Sequence, residues 1–154
     1  MIVSIRRILF PTDFSPPARH AQRYAIALAE KFGAELHALN VVPEIVLPTA
    51  DSLAVWTLPE GGMKAQVEAV ERQLQVELGS TAVVVRRSVV VGFPVEEIMQ
   101  YAVDQDIDLI VVGTHGHTGL SHLLLGSVAE KLVRLAKCPV LTVHPQGHQF
   151  VIPG

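Results

Sequence analysis

The stretch Asp108-Leu-Ile-Val-Val-Gly113-Thr-His-Gly116-His-Thr-Gly-Leu-Ser-His-Leu-Leu-Leu-Gly126-Ser127 runs from an aliphatic strand, through a glycine-rich segment, to the start of a helix. Its first residues are nearly all branched aliphatic, which is typical of a strand buried on both faces. Glycine permits positive φ angles and lets a ligand approach the main chain, and the N–H groups that begin a helix suit an anion. The stretch predicts an α/β fold and a candidate phosphate site, although such glycines are as often simple turn residues.

Strands and helices alternate along the rest of the chain. The predicted strands are Ile5–Pro11, Glu35–Val42, Ala82–Val91, Asp108–Gly113 and Pro139–His144. Strands separated by helices imply parallel pairing with right-handed crossovers, and therefore an open, doubly wound five-stranded sheet with helices on both faces. The alternation by itself leaves two strand orders open, the flavodoxin-like order 2-1-3-4-5 and the Rossmann-like order 3-2-1-4-5.

The first helix has clear end signals. Ser15 is predicted to cap its start, Pro16 to occupy its first position, and Gly33 to end it in a left-handed conformation. Its apolar face is predicted to comprise Ala18, Ala21, Ala25, Leu28 and Phe32. Further along, the Arg86-Arg87 pair indicates that the third strand is partly exposed, as at a sheet edge.

Length and composition restrict the class of protein. The chain has 154 residues, which we assign to one domain over residues 1–146 and a tail over 147–154. A net charge of −3 without a basic run argues against a nucleic-acid partner. No apolar run reaches the roughly 20 residues of a membrane span, and the N-terminus lacks the pattern of a signal peptide. Cys138 is the single cysteine, so we expect no internal disulfide and a reducing, cytoplasmic location.

The segment from Pro43 to Gly62 is rich in proline and glycine and is long for a loop in a compact domain. It is either a lid or binding loop, or an insertion without fixed structure. Trp56 lies in this segment, and it either packs on the domain or contacts a ligand.

Two common phosphate-binding motifs are absent, since the sequence has no G-x-x-x-x-G-K-[ST] and no G-x-G-x-x-G after the first strand. The spacing Gly113-x2-Gly116-x9-Gly126-Ser127 resembles the ATP-binding signature of the universal stress protein family. Ile8-Leu-Phe-Pro-Thr-Asp13-Phe-Ser15 resembles the first strand and loop of that family, and Glu35–Val42 and Gly126–Val143 resemble its second strand and its last helix and strand. The resemblance extends over almost the whole chain.

The resemblance implies the strand order 3-2-1-4-5, which brings the ends of the first and fourth strands to one crevice. It implies that adenine nucleotide is bound by Pro11, Thr12, Asp13, Val41, Gly113, Thr114, His115, Gly116, Gly126, Ser127 and Val128. Asp13 would accept bonds from ribose hydroxyls or help to hold Mg²⁺ or Mn²⁺, and its alternative role is that of a turn or capping aspartate. The main chain of Val41 would contact the adenine edge, and Ser127 would bind phosphate or simply cap the helix.

Two positions depart from the family pattern. His117 stands where many members carry Arg or Lys, so phosphate affinity is expected to be lower or pH-sensitive. Ala129 lacks the hydroxyl that some members have in the first turn of this helix.

Three other groups of residues suggest sites that we consider less favoured. His115, His117 and His122 lack the carboxylate or thiolate partners of a recognisable metal site. The acids at 104, 106 and 108 lack the glycine and distal glutamate of a calcium loop. Cys138 has no activating neighbour, so we expect a packed thiol rather than a nucleophile.

The resemblance implies an ATP-binding, dimeric regulatory or stress-response protein. Its homodimer would form through the fifth strand, Val140–Val143, which the family order places at a sheet edge. We find no evident base to activate water and no arginine finger, so at most slow ATP hydrolysis is expected. The alternatives are a nucleotide hydrolase or transferase on the same scaffold, and a dimeric interaction protein that does not bind nucleotide.

Overall fold

A computed structural model describes residues 2–44, 61–114 and 125–145. The elements in chain order are β1 (Arg7–Pro11), α1 (Pro16–Phe32), β2 (Glu35–Pro43), α2 (Gly62–Leu78), β3 (Val85–Gly92), α3 (Pro94–Asp104), β4 (Leu109–Gly113), α4 (Ser127–Leu135) and β5 (Val140–Val143). The predicted strands and helices are confirmed, with small shifts at their ends. Trp56, most of the predicted 43–62 loop and the 147–154 tail lie outside the described residues.

The strands of the described ranges form one parallel five-stranded sheet in the order β3-β2-β1-β4-β5. In its centre Ile8 of β1 is paired with Leu36 of β2 on one side and with Leu109 of β4 on the other. This confirms the order 3-2-1-4-5 and excludes the flavodoxin-like alternative. The third strand lies at a sheet edge as predicted, and the Arg86 side chain is 62% exposed.

Each face of the sheet packs against two helices. On one face Phe10 and Val111 pack with α1 and with Leu74 of α2, and on the other Leu9 and Ile110 pack with residues of α3 and α4. The central strands are therefore buried on both sides, which explains their continuous aliphatic sequence. No helix in the described part of the chain is long and apolar enough to cross a membrane.

Helix α1 begins as predicted, because the Ser15 hydroxyl accepts the N–H of Ala18 at 3.3 Å. Its end at Gly33 is also confirmed, with a left-handed φ of +63°. The predicted apolar face is wrong at one position, since Phe32 is 46% exposed whereas Ala29 is buried. Phe32 is in the last turn of the helix, where the chain leaves for β2 and Ala34 enters the core instead.

Candidate functional site

A cavity of about 280 Å³ opens beyond the carboxyl ends of β1 and β4. These two strands are neighbours in space, and the connections that follow them pack α1 and α4 on opposite faces of the sheet. Such a switch point leaves a crevice in which open α/β sheets commonly bind ligands. The cavity is lined by Pro11, Thr12, Asp13, Ala18, Leu39, Val41, Pro94, Ile98, Val112, Gly113, Thr114, Gly126, Ser127, Val128 and Ala129.

All the predicted site residues that fall in the described ranges line this cavity, whereas His115 and Gly116 lie outside those ranges. His117 and His122 are outside them too. Leu39, Pro94 and Ile98 also line the cavity, and no sequence motif marks them as site residues. Each is apolar and lies near the end of a strand or the start of a helix, but only the strand order shows that these ends meet.

The turn between β1 and α1 is fixed by its own side chains. Thr12 Oγ1 accepts the N–H of Phe14, and Asp13 Oδ1 accepts the N–H of Ser15, both at 3.0 Å. Between these contacts Phe14 has a φ of +63°, which is uncommon for a residue other than glycine. The alternative role of Asp13 as a turn residue is therefore observed, and its exposed carboxylate also borders the cavity.

Gly113 lets β4 approach α1 closely. A Cβ at this position would lie 2.9 Å from the carbonyl oxygen of Pro17 and 3.3 Å from the nitrogen of Ala18. These distances are shorter than ordinary non-bonded contacts. Gly113 and Ala18 both line the cavity, so a side chain at position 113 would displace part of its wall.

Helix α4 presents its N-terminus to the cavity. Gly126 is the N-cap and Ser127 is the first helical residue, so the alternative that Ser127 caps this helix is wrong. No side chain of the described residues caps the helix, and the N–H groups of its first turn have no acceptors within the helix. The N–H of Gly126 donates to the carbonyl of Thr114, which joins the two ends of the segment 115–124.

Charge in the cavity is sparse. Asp13 is the single charged side chain among the described residues that line it, and Lys, Arg and His do not occur in that set. An anion bound there would depend on main-chain N–H groups and on the positive end of α4. In the described ranges no group of three or more metal-binding side chains comes together.

A second polar cluster, which the sequence analysis did not identify, lies at the other end of β2. His37 is 1% exposed, and its Nδ1 lies 2.8 Å from the Tyr101 hydroxyl. Glu35 Oε1 lies 2.7 Å from His37 Nε2 and 2.8 Å from Arg86 Nε. Burial lowers the pKa of His37, and the neighbouring Glu35 offsets this only in part.

Two of the less favoured sites can be compared with the structure. Asp108 accepts main-chain N–H groups of Arg6 and Arg7 at 2.8 and 3.0 Å, which connects the residue before β4 to the start of β1. Burial raises the pKa of the Cys138 thiol, which disfavours the thiolate and agrees with a packed rather than nucleophilic cysteine.

The fold and the crevice define a class of protein, a doubly wound α/β domain with a partly apolar crevice at its switch point. The family model described as "Universal stress protein family" matches residues 4–144. The chain belongs to the universal stress protein family.

Individual relatives agree with this assignment. Universal stress protein MJ0531 of Methanocaldococcus jannaschii is 36% identical over 141 residues, which are 90% of this chain and 81% of that protein. Universal stress protein MJ0577 of the same organism is 33% identical over 158 residues, which cover 93% of this chain and 97% of the relative. The solved structure of MJ0577 superimposes with a TM-score of 0.75 over 95% of this chain and all of that one, at 31% identity.

A further solved structure is that of a universal stress protein in complex with cAMP. It superimposes with a TM-score of 0.67 at 27% identity and covers 92% of this chain and 99% of its own.

Proposed function

We propose that this chain binds ATP, accompanied by Mg²⁺ or Mn²⁺, in the crevice between β1 and β4, and acts as a dimeric regulatory or stress-response protein in the cytoplasm. The observation that carries the proposal is one cavity bordered by the turn after β1, the glycine end of β4 and the uncapped start of α4. A relative whose structure contains cAMP supports an adenine nucleotide as the ligand.

The apolar part of the cavity suits a purine base. Leu39, Val41, Ile98 and Val112 provide aliphatic contact surface near the ends of the strands and the start of α3. Ligand sites of this type are mostly apolar, with a few polar groups that fix the orientation of the ligand. The main chain at Val41, the last half-exposed position of β2 before the strand ends, can contact the adenine edge.

The polar part of the cavity suits phosphates. The first-turn N–H groups of α4, with Ser127 and Val128, border the cavity and carry the partial positive charge of a helix N-terminus. Because residues 113 and 126 are glycines, neither has a side chain in the space proposed for the phosphates. Thr12 and Asp13 are then left to contact the ribose.

The residues present fit a cation that arrives with the nucleotide. Mg²⁺ usually keeps several waters and binds through one or two carboxylates together with substrate phosphates. Asp13 provides one exposed carboxylate at the cavity, which matches that pattern and not a site built from protein ligands alone. The cation would neutralise phosphate charge that no lysine or arginine of the described lining residues can neutralise.

The same composition argues for a regulatory rather than a catalytic role. Among the described lining residues there is no histidine and no second carboxylate to activate water, and no arginine to stabilise a transferring phosphoryl group. We therefore expect bound nucleotide to be hydrolysed slowly at most.

The position of β5 in the sheet supports the proposed dimer. Within the described ranges β5 pairs with β4 on one side, and Leu141 is 38% exposed although it lies in a strand. An exposed apolar edge strand favours pairing with another strand. We expect wild-type protein to elute as a dimer in light-scattering chromatography and the variant Leu141→Arg to elute as a monomer. If the Leu141→Arg variant forms a dimer as stable as that of the wild type, the β5 interface is refuted.

Nucleotide binding is tested by denaturing the purified protein and identifying released nucleotide by chromatography. Calorimetric titration of nucleotide-free protein with Mg·ATP then gives the affinity. The variant Gly126→Trp should abolish binding because the indole occupies the phosphate path, while Lys131→Trp, at an exposed position of α4, should leave the affinity unchanged. Absence of any adenine nucleotide binding at millimolar concentration, or unchanged affinity in Gly126→Trp, would refute the proposed site.

A further inference from the structure

Asn40 is a buried polar residue in the middle of an otherwise apolar part of β2. It is 8% exposed, and its neighbours Leu39 and Val41 both line the cavity. Burying an amide without a hydrogen-bond partner is costly, so a buried amide in a strand needs a structural reason. Asn40 has one, because its Nδ2 donates to the carbonyl oxygen of Thr12 at 2.8 Å.

Asn40 does not itself line the cavity. Successive side chains of a strand point to opposite faces of the sheet. Leu39 packs in the core on the α3 and α4 face, whereas Ala38 packs on the face covered by α1 and α2, which is also the face of Asn40. Any effect of Asn40 on a ligand must therefore be transmitted through Thr12.

The contact fixes a main-chain group of the site. The N–H of Thr12 donates to the carbonyl of Leu39 at 2.9 Å, its carbonyl accepts from Asn40, and its hydroxyl accepts from Phe14. The carbonyl of Thr12 and the N–H of Asp13 belong to one planar peptide unit. By fixing that plane, Asn40 also fixes the direction in which the Asp13 residue leaves β1.

We propose that Asn40 is a positioning residue that sets the selectivity of the site for the ribose hydroxyls of the nucleotide. This inference rests on the proposed function, in which Thr12 and Asp13 contact the ribose. Without the Asn40 amide the Thr12 carbonyl loses this donor, so the peptide plane between the two residues is less constrained. The Asp13 carboxylate, which still accepts the Ser15 N–H, is then less precisely placed relative to the sugar. Contacts to the base and to the phosphates come from other elements and are retained.

The test compares two ligands, Mg·ATP and Mg·2′,3′-dideoxy-ATP, by calorimetric titration. Wild-type protein is expected to bind ATP more tightly, since the dideoxy compound lacks the hydroxyls that Asp13 would contact. In Asn40→Leu the Kd for ATP should rise about tenfold, the scale of one hydrogen bond with a charged partner. The Kd for the dideoxy compound should change less than about twofold, so the selectivity is lost.

Gln22 provides a matched control. Its Nε2 donates to the carbonyl of Glu77 at 3.2 Å, an amide-to-carbonyl bond of the same type that joins α1 to α2 away from the cavity. Gln22→Leu should retain the wild-type ratio of the two affinities even where it lowers the melting temperature. If the role of Asn40 were purely structural, its substitution would weaken the binding of both nucleotides equally. The ratio of the two Kd values would then be unchanged.

Asn40→Ala repeats the test with a smaller side chain that has no donor and no branched bulk, which keeps the inference testable if the leucine variant does not fold. An unchanged ratio in the folded Asn40 variants overturns this inference and leaves the proposed function intact. Failure of wild-type protein to bind either nucleotide overturns the proposed function. Equal wild-type affinity for the two nucleotides overturns the ribose-selecting role alone.

Discussion

Replacing Gly113 by alanine tests whether the close contact between β4 and α1 sets the width of the crevice. The new Cβ would lie 2.9 Å from the Pro17 carbonyl oxygen, so α1 or β4 must move by about 0.6 Å to reach an ordinary contact of about 3.5 Å. Inserting one carbon into a packed contact costs about 1–3 kcal/mol. For a domain of this size each kcal/mol lowers the melting temperature by about 2–4 °C.

The same displacement should weaken nucleotide binding. If about 1.4 kcal/mol of this strain opposes the geometry that the ligand requires, the Kd for Mg·ATP rises about tenfold. Thermal unfolding followed by circular dichroism gives the stability, and calorimetric titration at 20 °C, where the variant is folded, gives the affinity.

Gly33→Ala is the control for this prediction. A Cβ at Gly33 meets nothing within 4 Å, but its φ of +63° makes alanine unfavourable by about 1–2 kcal/mol. This variant should lose a similar amount of stability with no change in Kd, because it lies at the far end of α1. The reasoning is refuted if Gly113→Ala keeps wild-type affinity, or if both variants lose affinity in proportion to their loss of stability.

The remaining predictions concern local contacts. Burial lowers the pKa of His37 in the folded protein, so the unfolded chain takes up a proton first as the pH falls. The free energy of unfolding should therefore decrease below about pH 6.5. Denaturant titrations at pH 7 and pH 5 should show a smaller decrease for His37→Gln than for the wild type. Ser15→Ala removes the cap of α1 and should cost about 1 kcal/mol in the same measurement, and an unchanged midpoint would contradict the capping role. Cys138 should react with iodoacetamide more slowly than free cysteine at pH 7.5, followed by mass spectrometry, and become fully reactive after unfolding.

The parts of the fold that could be predicted from sequence are those encoded locally. Ser15, Pro16 and Gly33 mark the ends of α1 by their own backbone and side-chain chemistry, and the aliphatic run of β4 indicates burial on both faces. The strand order was not available from periodicity, because the pairing of Ile8 with Leu109 joins residues distant in sequence. It came from the family resemblance.

Long-range contacts also explain what the sequence did not indicate about the site. Asn40 is one polar residue in a strand, and its role is visible only when the Thr12 carbonyl lies beside it. His37 likewise depends on Tyr101, which belongs to a helix far along the chain. Helical periodicity places Phe32 on the apolar face of α1, but it does not show where the helix ceases to pack on the sheet. Phe32 is therefore exposed although it has the spacing of a buried residue.

The hydrogen bond from the Gly126 N–H to the Thr114 carbonyl has a consequence for how this chain tolerates changes between those two residues. It closes the chain at the base of residues 115–124, so the entropy of loop closure changes only slowly with the number of residues between the two ends. We therefore expect substitutions or changes of length within that segment to leave the stability of β4, α4 and the core between them little changed. The bond thus makes the stability of the surrounding core largely independent of the number of residues in that segment.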